Sequence, residues 1–305
     1  MSNVKNQHYV PQFYLKGFAN DKEQIWAFDK TNLKSFPSGP GNLASENYFY
    51  DQIEIDQTFG PKFMERSLDA FEGKFAPFLS ELLKSCENGS LNLISAENKV
   101  RLCEYVSVQI LRTKENRQHI LQLFNVFEQG LVDKSWLTRE ETKTLGFDMD
   151  AEKAKLFQIK QLMGNEGLKD ALFNSLQHHI CFIYKNTTNL PFYSSDNPVA
   201  KRAHIISEVR SFAGWASKGI EITLPLSSKF LLVLCESTYF KQIDDLKNRV
   251  IDLQDLRNII YYNSLQVKDS YRFVYCAKPD FDLAKEMVES HQDLGNPNRK
   301  RTEIG

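Results

Sequence analysis

Residues 219–236 read GIEITLPLSSKFLLVLCE, two short apolar runs separated by a Ser-Ser pair. Runs of this length, rich in β-branched and aromatic residues and bounded by turn residues, are typical of β-strands. Comparable runs, HICFIY and LPFYSS before this stretch and YRFVYCA after it, predict further strands, with a helix, DLQDLRNIIYYNSLQV, before the last of them. We therefore expect a β-rich region at about residues 178–277.

The preceding region, about residues 57–177, has a helical pattern. Between Phe63 and Leu82, apolar residues recur mostly at spacings of three and four, and Pro77 is expected to kink or break this helix. Ser95 is a suitable N-cap for a long helix, AENKVRLCEYVSVQILRTKENRQHILQLFNVFEQ. This pattern predicts a largely helical middle of the chain.

The chain starts with a short helix opened by Pro11, followed by a hairpin, EQIWAFDKTNLKSF, whose turn lies at residues 29–32. Strands on both sides of a helical middle favour an α+β fold over a regular βαβ alternation. We expect one α+β domain at residues 1–292 and a flexible tail at 293–305, whose Arg-Lys-Arg triplet should be solvated.

Composition excludes several classes of protein. The 305 residues include 42% apolar and 25% charged residues with a net charge of -1, which gives no overall attraction to nucleic acid or anionic lipid. The five cysteines form no C-x-x-C pair, so we expect reduced thiols and a cytoplasmic location. The longest apolar run, KFLLVLC, is too short to cross a membrane.

The common catalytic signatures are also absent from the sequence: there is no P-loop, G-x-G-x-x-G, H-E-x-x-H or G-x-S-x-G motif. The candidate site must therefore be assembled from less specific polar segments.

The first segment is NQHYVPQFYL, in which His8 precedes a proline-started helix and Gln12 follows it by four residues. A histidine here could serve as a general base or a metal ligand. Alternatively, His8 only hydrogen-bonds a neighbouring strand and caps the helix.

The second segment is FYSSDNPV, which places Asp196 and Asn197 where an apolar strand ends. Functional carboxylates often lie on such loops, because the sheet holds them in place. Asp-Asn-Pro is equally good turn chemistry, and Asp196 would then only accept backbone N–H bonds.

The third segment lies on the long helix, where Tyr105, Gln109 and Arg112 share one face. A partly buried Arg112 needs a carboxylate partner. It could bind a phosphate or carboxylate ligand, or form a structural salt bridge.

Together, HYVPQFYLKGFA, NYFYD, QILRT, YSSDNPV and ITLPLS resemble a bacterial family of unknown function, domain-of-unknown-function family 4238, over roughly residues 6–275. The resemblance carries no activity, but it implies that the family's recurring polar positions converge in space. Here these positions are His8, Gln12, Tyr14, Gln109, Arg112, Ser195, Asp196 and Asn197.

Two functions follow from such convergence. In a hydrolase of phosphodiesters or nucleotides, His8 would be the general acid/base, Asp196 an orienting carboxylate or metal ligand, and Arg112 the anion clamp. The other five residues would bind substrate. A divalent metal stays open as cofactor, because one His and one Asp do not complete a site. In the alternative, a non-catalytic binding or interaction protein, the same residues are a structural hydrogen-bond network.

Overall fold

The computed structural model describes residues 5–89, 94–164, 167–207 and 211–301. Its strands are β1 Asn6–His8, β2 Ile25–Asp29, β3 Lys34–Ser38, β4 Ser45–Asn47, β5 Ile180–Asn186, β6 Ser194–Ser195, β7 Ala200–Ala203, β8 Ile220–Pro225, β9 Phe230–Cys235, β10 Val250–Leu253 and β11 Phe273–Cys276. Its α-helices are α1 Gln12–Leu15, α2 Ile53–Phe59, α3 Phe63–Glu87, α4 Ala96–Arg112, α5 Lys114–Asp133, α6 Arg139–Thr144, α7 Ala151–Met163, α8 Leu168–Gln177, α9 Leu256–Asp269 and α10 Asp282–Ser290. The fold is α+β, as the sequence predicts.

The strands form two larger sheets and one small pair. The five-stranded sheet has the order β10-β5-β9-β8-β7, and its strands are antiparallel except for the parallel pair β10 and β5. The four-stranded antiparallel sheet has the order β3-β2-β11-β6, while β1 pairs with β4. The predicted hairpin β2–β3 is therefore confirmed, but it belongs to the same sheet as β11, near the other end of the chain.

The helical middle begins at α2, slightly before the predicted boundary. Pro77 lies inside α3, which continues past it as one helix, so of the predicted kink or break the break is wrong. Ser95 caps α4 as predicted, its side chain accepting the Asn98 N–H at 3.1 Å.

The long helix predicted after Ser95 is interrupted at Thr113. There α4 ends and α5 begins, with Thr113 in extended backbone conformation (φ -77°, ψ 159°). Its hydroxyl accepts the N–H of Asn116 at 3.2 Å and caps α5.

The largest apolar core joins α1, α3 and α4 to the inner faces of β8 and β9. Leu102 and Val106 on α4 and Leu224 on β8 are almost completely buried in it. Among the described residues, no helix combines the length and apolarity needed to cross a bilayer.

The C-terminal segment differs from the solvated basic tail expected from its sequence. Arg299 and Arg301 are 9% and 4% exposed, and both pair with Glu115 on α5, at 3.2 and 2.8 Å. Arg299 also donates to the main-chain oxygen of Ser270 at 2.8 Å. The two guanidinium groups are buried because a carboxylate and main-chain oxygens receive their N–H groups. Residues 302–305 of the predicted tail lie outside the described residues.

Candidate functional site

The three polar segments predicted from the sequence meet in the interior, and most of their contacts are hydrogen bonds to main-chain atoms. The N-terminal segment lies against the face of α4 that carries Gln109 and Arg112. Gln109 donates to the main-chain oxygen of Tyr9 at 3.2 Å, and Arg112 donates to that of His8 at 2.7 Å. Side chains of α4 thus fix the backbone of the first segment.

Arg112 is a buried cation, with its side chain 1% exposed, and its Nη2 lies 2.8 Å from the carboxylate of Glu72 on α3. Burial lowers the pKa of Arg112, but the contacts with Tyr50 and Glu72 outweigh it, so the net shift is upward and the guanidinium is charged. Glu72 is the carboxylate partner that a buried Arg112 was predicted to need.

Several polar atoms on this face of α4 have no hydrogen-bond partner among the described residues. These are Nε and Nη1 of Arg112, the hydroxyl of Tyr105 and Oε1 of Gln109, all buried. Buried polar groups normally have a protein or water partner. This face of α4 therefore carries polar atoms whose burial costs free energy unless a water molecule or another polar group reaches them.

His8 is half-buried at the end of β1, and both of its ring nitrogens are engaged. Nε2 lies 3.1 Å from the main-chain oxygen of Gly41, so it carries the proton and donates. Nδ1 then accepts from the Gln12 amide at 3.4 Å. Burial and the nearby Arg112 lower the pKa of His8, while the bond to Gly41 raises it less. His8 is thus a neutral imidazole oriented by two neighbours.

Tyr14 is completely buried and joins the N-terminal segment to the β-rich region. Its hydroxyl donates to the main-chain oxygen of Pro225 at 2.6 Å and lies 2.9 Å from Oγ of Ser194. Burial raises the pKa of Tyr14 far above its ordinary value, so the phenol stays neutral.

Asp196 follows β6 and is 0% exposed. One carboxylate oxygen accepts the N–H of Tyr271 at 2.8 Å, and the other accepts those of Arg272 and Phe273, also at 2.8 Å. Burial raises the pKa of Asp196 to about 6, although Lys30 and the N–H groups of Phe273 and Arg272 lower it. The carboxylate organises the turn that leads into β11.

Ser195 and Asn197, which flank Asp196, are also hydrogen-bonded to other parts of the chain. Ser195 donates to Gln266 at 2.9 Å, and the amide of Asn197 donates to the main-chain oxygen of Asp269 at 2.9 Å. Oδ1 of Asn197 accepts from Thr113 at 2.9 Å, which ties this loop to the junction of α4 and α5. The segment is held by α9 on one side and by α4 on the other.

The structure thus brings His8, Arg112 and the Ser195–Asn197 loop into one connected network, but it does not point their polar groups into a common cavity. Arg112 contacts the main chain of His8, while Asp196 faces the backbone of residues 271–273. Within the described ranges, no three His, Cys, Asp or Glu side chains are grouped as metal ligands.

Glu221 is the centre of a second polar cluster, which sequence reasoning missed. Its buried carboxylate on β8 accepts from the hydroxyls of Tyr261 and Tyr262 at 2.7 and 3.1 Å and from the ring of His204 at 2.8 Å. An alternating strand motif such as GIEIT contains one glutamate that points to a sheet face, but it does not reveal which donors cover that face.

A concave feature lies elsewhere, between α3, α4, α7 and α8. It is an open cleft of about 620 Å³ with a mostly apolar lining. Its apolar walls include Phe63, Leu68, Phe71, Val108, Leu162 and Phe173. Polar groups line the remainder, among them Ser67, Glu104, Ser107, Lys169 and Asp170. The sequence showed the aromatic periodicity of α3, but not that one side of it stays uncovered.

The fold and these sites define an α+β protein in which a polar network locks the N-terminal segment onto a β-rich region, beside an apolar cleft in the helical region. The family model described as "Protein of unknown function (DUF4238)" matches residues 6–280, and the chain belongs to this family. Comparison with curated proteins and with solved structures gave no match.

Proposed function

We propose that this protein is a non-catalytic binding protein whose ligand occupies the apolar cleft between α3, α4, α7 and α8. The cleft itself carries the proposal, because ligand pockets are typically concave, several hundred Å³ in volume and mostly apolar, with a few polar groups. Its volume of about 620 Å³ and its lining agree with that description.

The contacts of the polar motif residues support this choice over hydrolysis. Both oxygens of Asp196, both ring nitrogens of His8 and the hydroxyl of Tyr14 are engaged within the protein. A general base needs a free lone pair within reach of substrate. With these groups used internally, their common role is to hold the segments together.

The exposed apolar surface of the cleft indicates what kind of ligand would bind. Phe63 and Phe71 on α3 and Phe173 on α8 are only partly buried, so apolar surface remains exposed to solvent there. Covering such surface is favourable at about 25 cal/mol per Å². The ligand is therefore expected to be largely apolar, with its polar part at the rim.

Fluorescence titration with the neutral apolar probe N-phenyl-1-naphthylamine tests this proposal. Val108→Phe should fill the cleft and weaken probe binding at least tenfold, because Val108 lines it. Val100→Phe is the matched control, the same change on the same helix at a position that is 40% exposed. Equal binding by both variants, or no binding by the unmodified protein, would refute the proposal.

One observation favours hydrolysis as a second candidate. Among the residues that the structure describes, Nε and Nη1 of Arg112 have no hydrogen-bond partner, while Nη2 donates to the main-chain oxygen of His8. An arginine with free donors can bind a phosphate. In this proposal His8 is the general acid/base, Arg112 the anion clamp and Asp196 an orienting carboxylate or a ligand of a divalent metal. Assays of generic phosphodiesters and nucleotides with His8→Ala and Asp196→Asn should show loss of turnover. Full activity in both variants would exclude these roles.

We further propose a cytoplasmic setting. All five cysteines are free and buried. Burial raises the pKa of Cys181, Cys235 and the other thiols, which keeps them protonated and unreactive. Quantifying free thiols in protein purified without reductant checks this, and disulfides in the native protein would contradict it.

A further inference from the structure

A second recess of about 610 Å³ is lined by residues of α3 and α4 beside the apolar cleft. The two recesses share Ser67, Phe71 and Glu104 in their linings. They therefore adjoin along α3 and α4, and we call the two recesses together the α3–α4 groove. On α3 its lining runs from Phe63 to Phe78, which is about 22 Å of helix at 1.5 Å per residue. This length fits a long, narrow molecule better than a compact one.

Charge is distributed unevenly along the groove. The second recess contains the cations Lys74 and Arg101 with the single carboxylate of Glu104. At the far end of the first recess, one cation, Lys169, stands beside one anion, Asp170. The second recess is thus the end with an excess of positive charge in its lining.

Two contacts of Arg101 determine how freely its charge can attract an anionic ligand. Arg101 pairs with Glu97 at 2.6 Å, but both side chains are largely exposed, so this ion pair is weak and easily exchanged. The guanidinium also lies 5.3 Å from the centre of the Phe78 ring, which keeps it over the apolar floor of the recess. Arg101 can therefore meet a ligand while its guanidinium stays over the Phe78 ring.

From this arrangement we infer that the ligand is an anionic long-chain amphiphile. Its chain lies in the apolar cleft along Phe63, Leu68 and Phe71, and its carboxylate or phosphate lies between Lys74 and Arg101. This inference rests on the proposed binding function and names the chemical class of its ligand. A free fatty acid and a single-chain phospholipid share this chemistry.

Displacement of N-phenyl-1-naphthylamine from the full chain by dodecanoate, dodecyl phosphate, dodecanol and dodecylamine tests the inference. The two anions should displace the probe at least tenfold more effectively than the amine, with the alcohol in between. Comparing dodecanoate with dodecyl phosphate distinguishes the carboxylate of a free fatty acid from the phosphate of a single-chain phospholipid. Charge reversal by Lys74→Glu with Arg101→Glu should abolish this order.

Lys169→Glu is the matched control and should leave the preference for anions unchanged. Probe binding without any preference among head groups would overturn the inference but leave the binding function standing. A preference that is lost in Lys169→Glu would overturn it as well, by placing the head group at the other end. Displacement by an amphipathic helical peptide but by none of the amphiphiles would show that the groove takes a protein partner instead. Absence of probe binding would remove the binding function itself.

Discussion

Nη2 of Arg112 lies 2.7 Å from the main-chain oxygen of His8, so a completely buried cation holds the N-terminal segment in place. The same nitrogen lies 2.8 Å from the carboxylate of Glu72, whose side chain is 22% exposed. The three groups connect β1, α3 and α4 through one guanidinium. Removing the carboxylate would leave a buried charge with less compensation.

We therefore expect Glu72→Gln to lower the free energy of unfolding by about 1–3 kcal/mol, with solvent near Glu72 limiting the loss. Urea denaturation measures this. The control Glu97→Gln removes an exposed ion pair with Arg101 and should have no measurable effect. In the Arg112→Met background, Glu72→Gln should cost much less than it does alone. Equal costs in both backgrounds would contradict the coupling.

Asp196→Ala should be among the most destabilising single changes in the chain. It leaves three partly buried N–H groups, those of Tyr271, Arg272 and Phe273, without this acceptor. At about 1–3 kcal/mol for each unsatisfied group, we expect a loss of at least about 3 kcal/mol in urea denaturation. Asp21→Ala, at an exposed position, is the control. Unchanged or increased stability would instead indicate a catalytic carboxylate.

The Tyr14 hydroxyl should contribute measurably to stability, because it is buried between Ser194 and Pro225. We expect Tyr14→Phe to cost about 1–2 kcal/mol by leaving the Pro225 oxygen without its donor. Tyr48→Phe, at a residue that is 45% exposed, should be neutral. A similar thermal midpoint for both variants would argue against a structural role of the Tyr14 bond.

The hydroxyl of Thr113 should stabilise the folded protein, because it caps α5 and also donates to Asn197. Thr113→Val keeps the shape and removes both contacts, so we expect a loss of about 1–2 kcal/mol in free energy of unfolding. Thr113→Ser retains the hydroxyl and should lose much less. A valine variant as stable as the serine variant would be inconsistent with the capping role.

Lys30 should make the stability of the protein depend on pH. It is 1% exposed, and its Nζ donates to the main-chain oxygens of Val267 and Ser270 at 2.8 and 2.9 Å. Burial, with a smaller effect of Arg299, lowers the pKa of Lys30 from 10.5 to about 7, although nearby carboxylates raise it. Between these two values the unfolded chain binds more protons than the folded protein, so unfolding free energy must rise as pH rises.

From pH 7 to pH 9, this contribution amounts to roughly 2 kcal/mol at 1.36 kcal/mol per pH unit. Lys30→Met should remove it, whereas Lys34→Gln, at an exposed position, should keep it. Denaturation curves at several pH values measure the slope. The same slope in the Lys30→Met variant and in the unmodified protein would exclude this lysine as its source.

Features that depend on residues close together in the chain could be predicted from the sequence. Ser95 caps α4 through the third residue after it, and the β2–β3 hairpin turns where Asp29 and the polar residues after it predicted. The break at Thr113 was missed, although Thr113 has the same local geometry as Ser95. Its surrounding apolar periodicity continues across the break, so the pattern alone did not reveal the change in helix direction.

The candidate site, too, could be predicted from the sequence only in part. The sequence placed polar groups at His8, Arg112 and Asp196, but an aspartate at the end of a strand looks the same whether it faces substrate or backbone N–H groups. Glu72 and Thr113, which complete the network, were not singled out. Nothing within α3 indicates that Phe71 lies at an open groove.

The sequence by itself determined the α+β class, the helical middle, the β-rich region and the family, because these depend on local periodicity, capping and short motifs. Only the tertiary structure decided that β2 joins β11 in one sheet, that Arg112 meets His8 and Glu72, and that a groove stays open along α3. These contacts join residues far apart in the chain. Their formation depends on how apolar surfaces and buried charges are distributed over the whole fold, which no local pattern records.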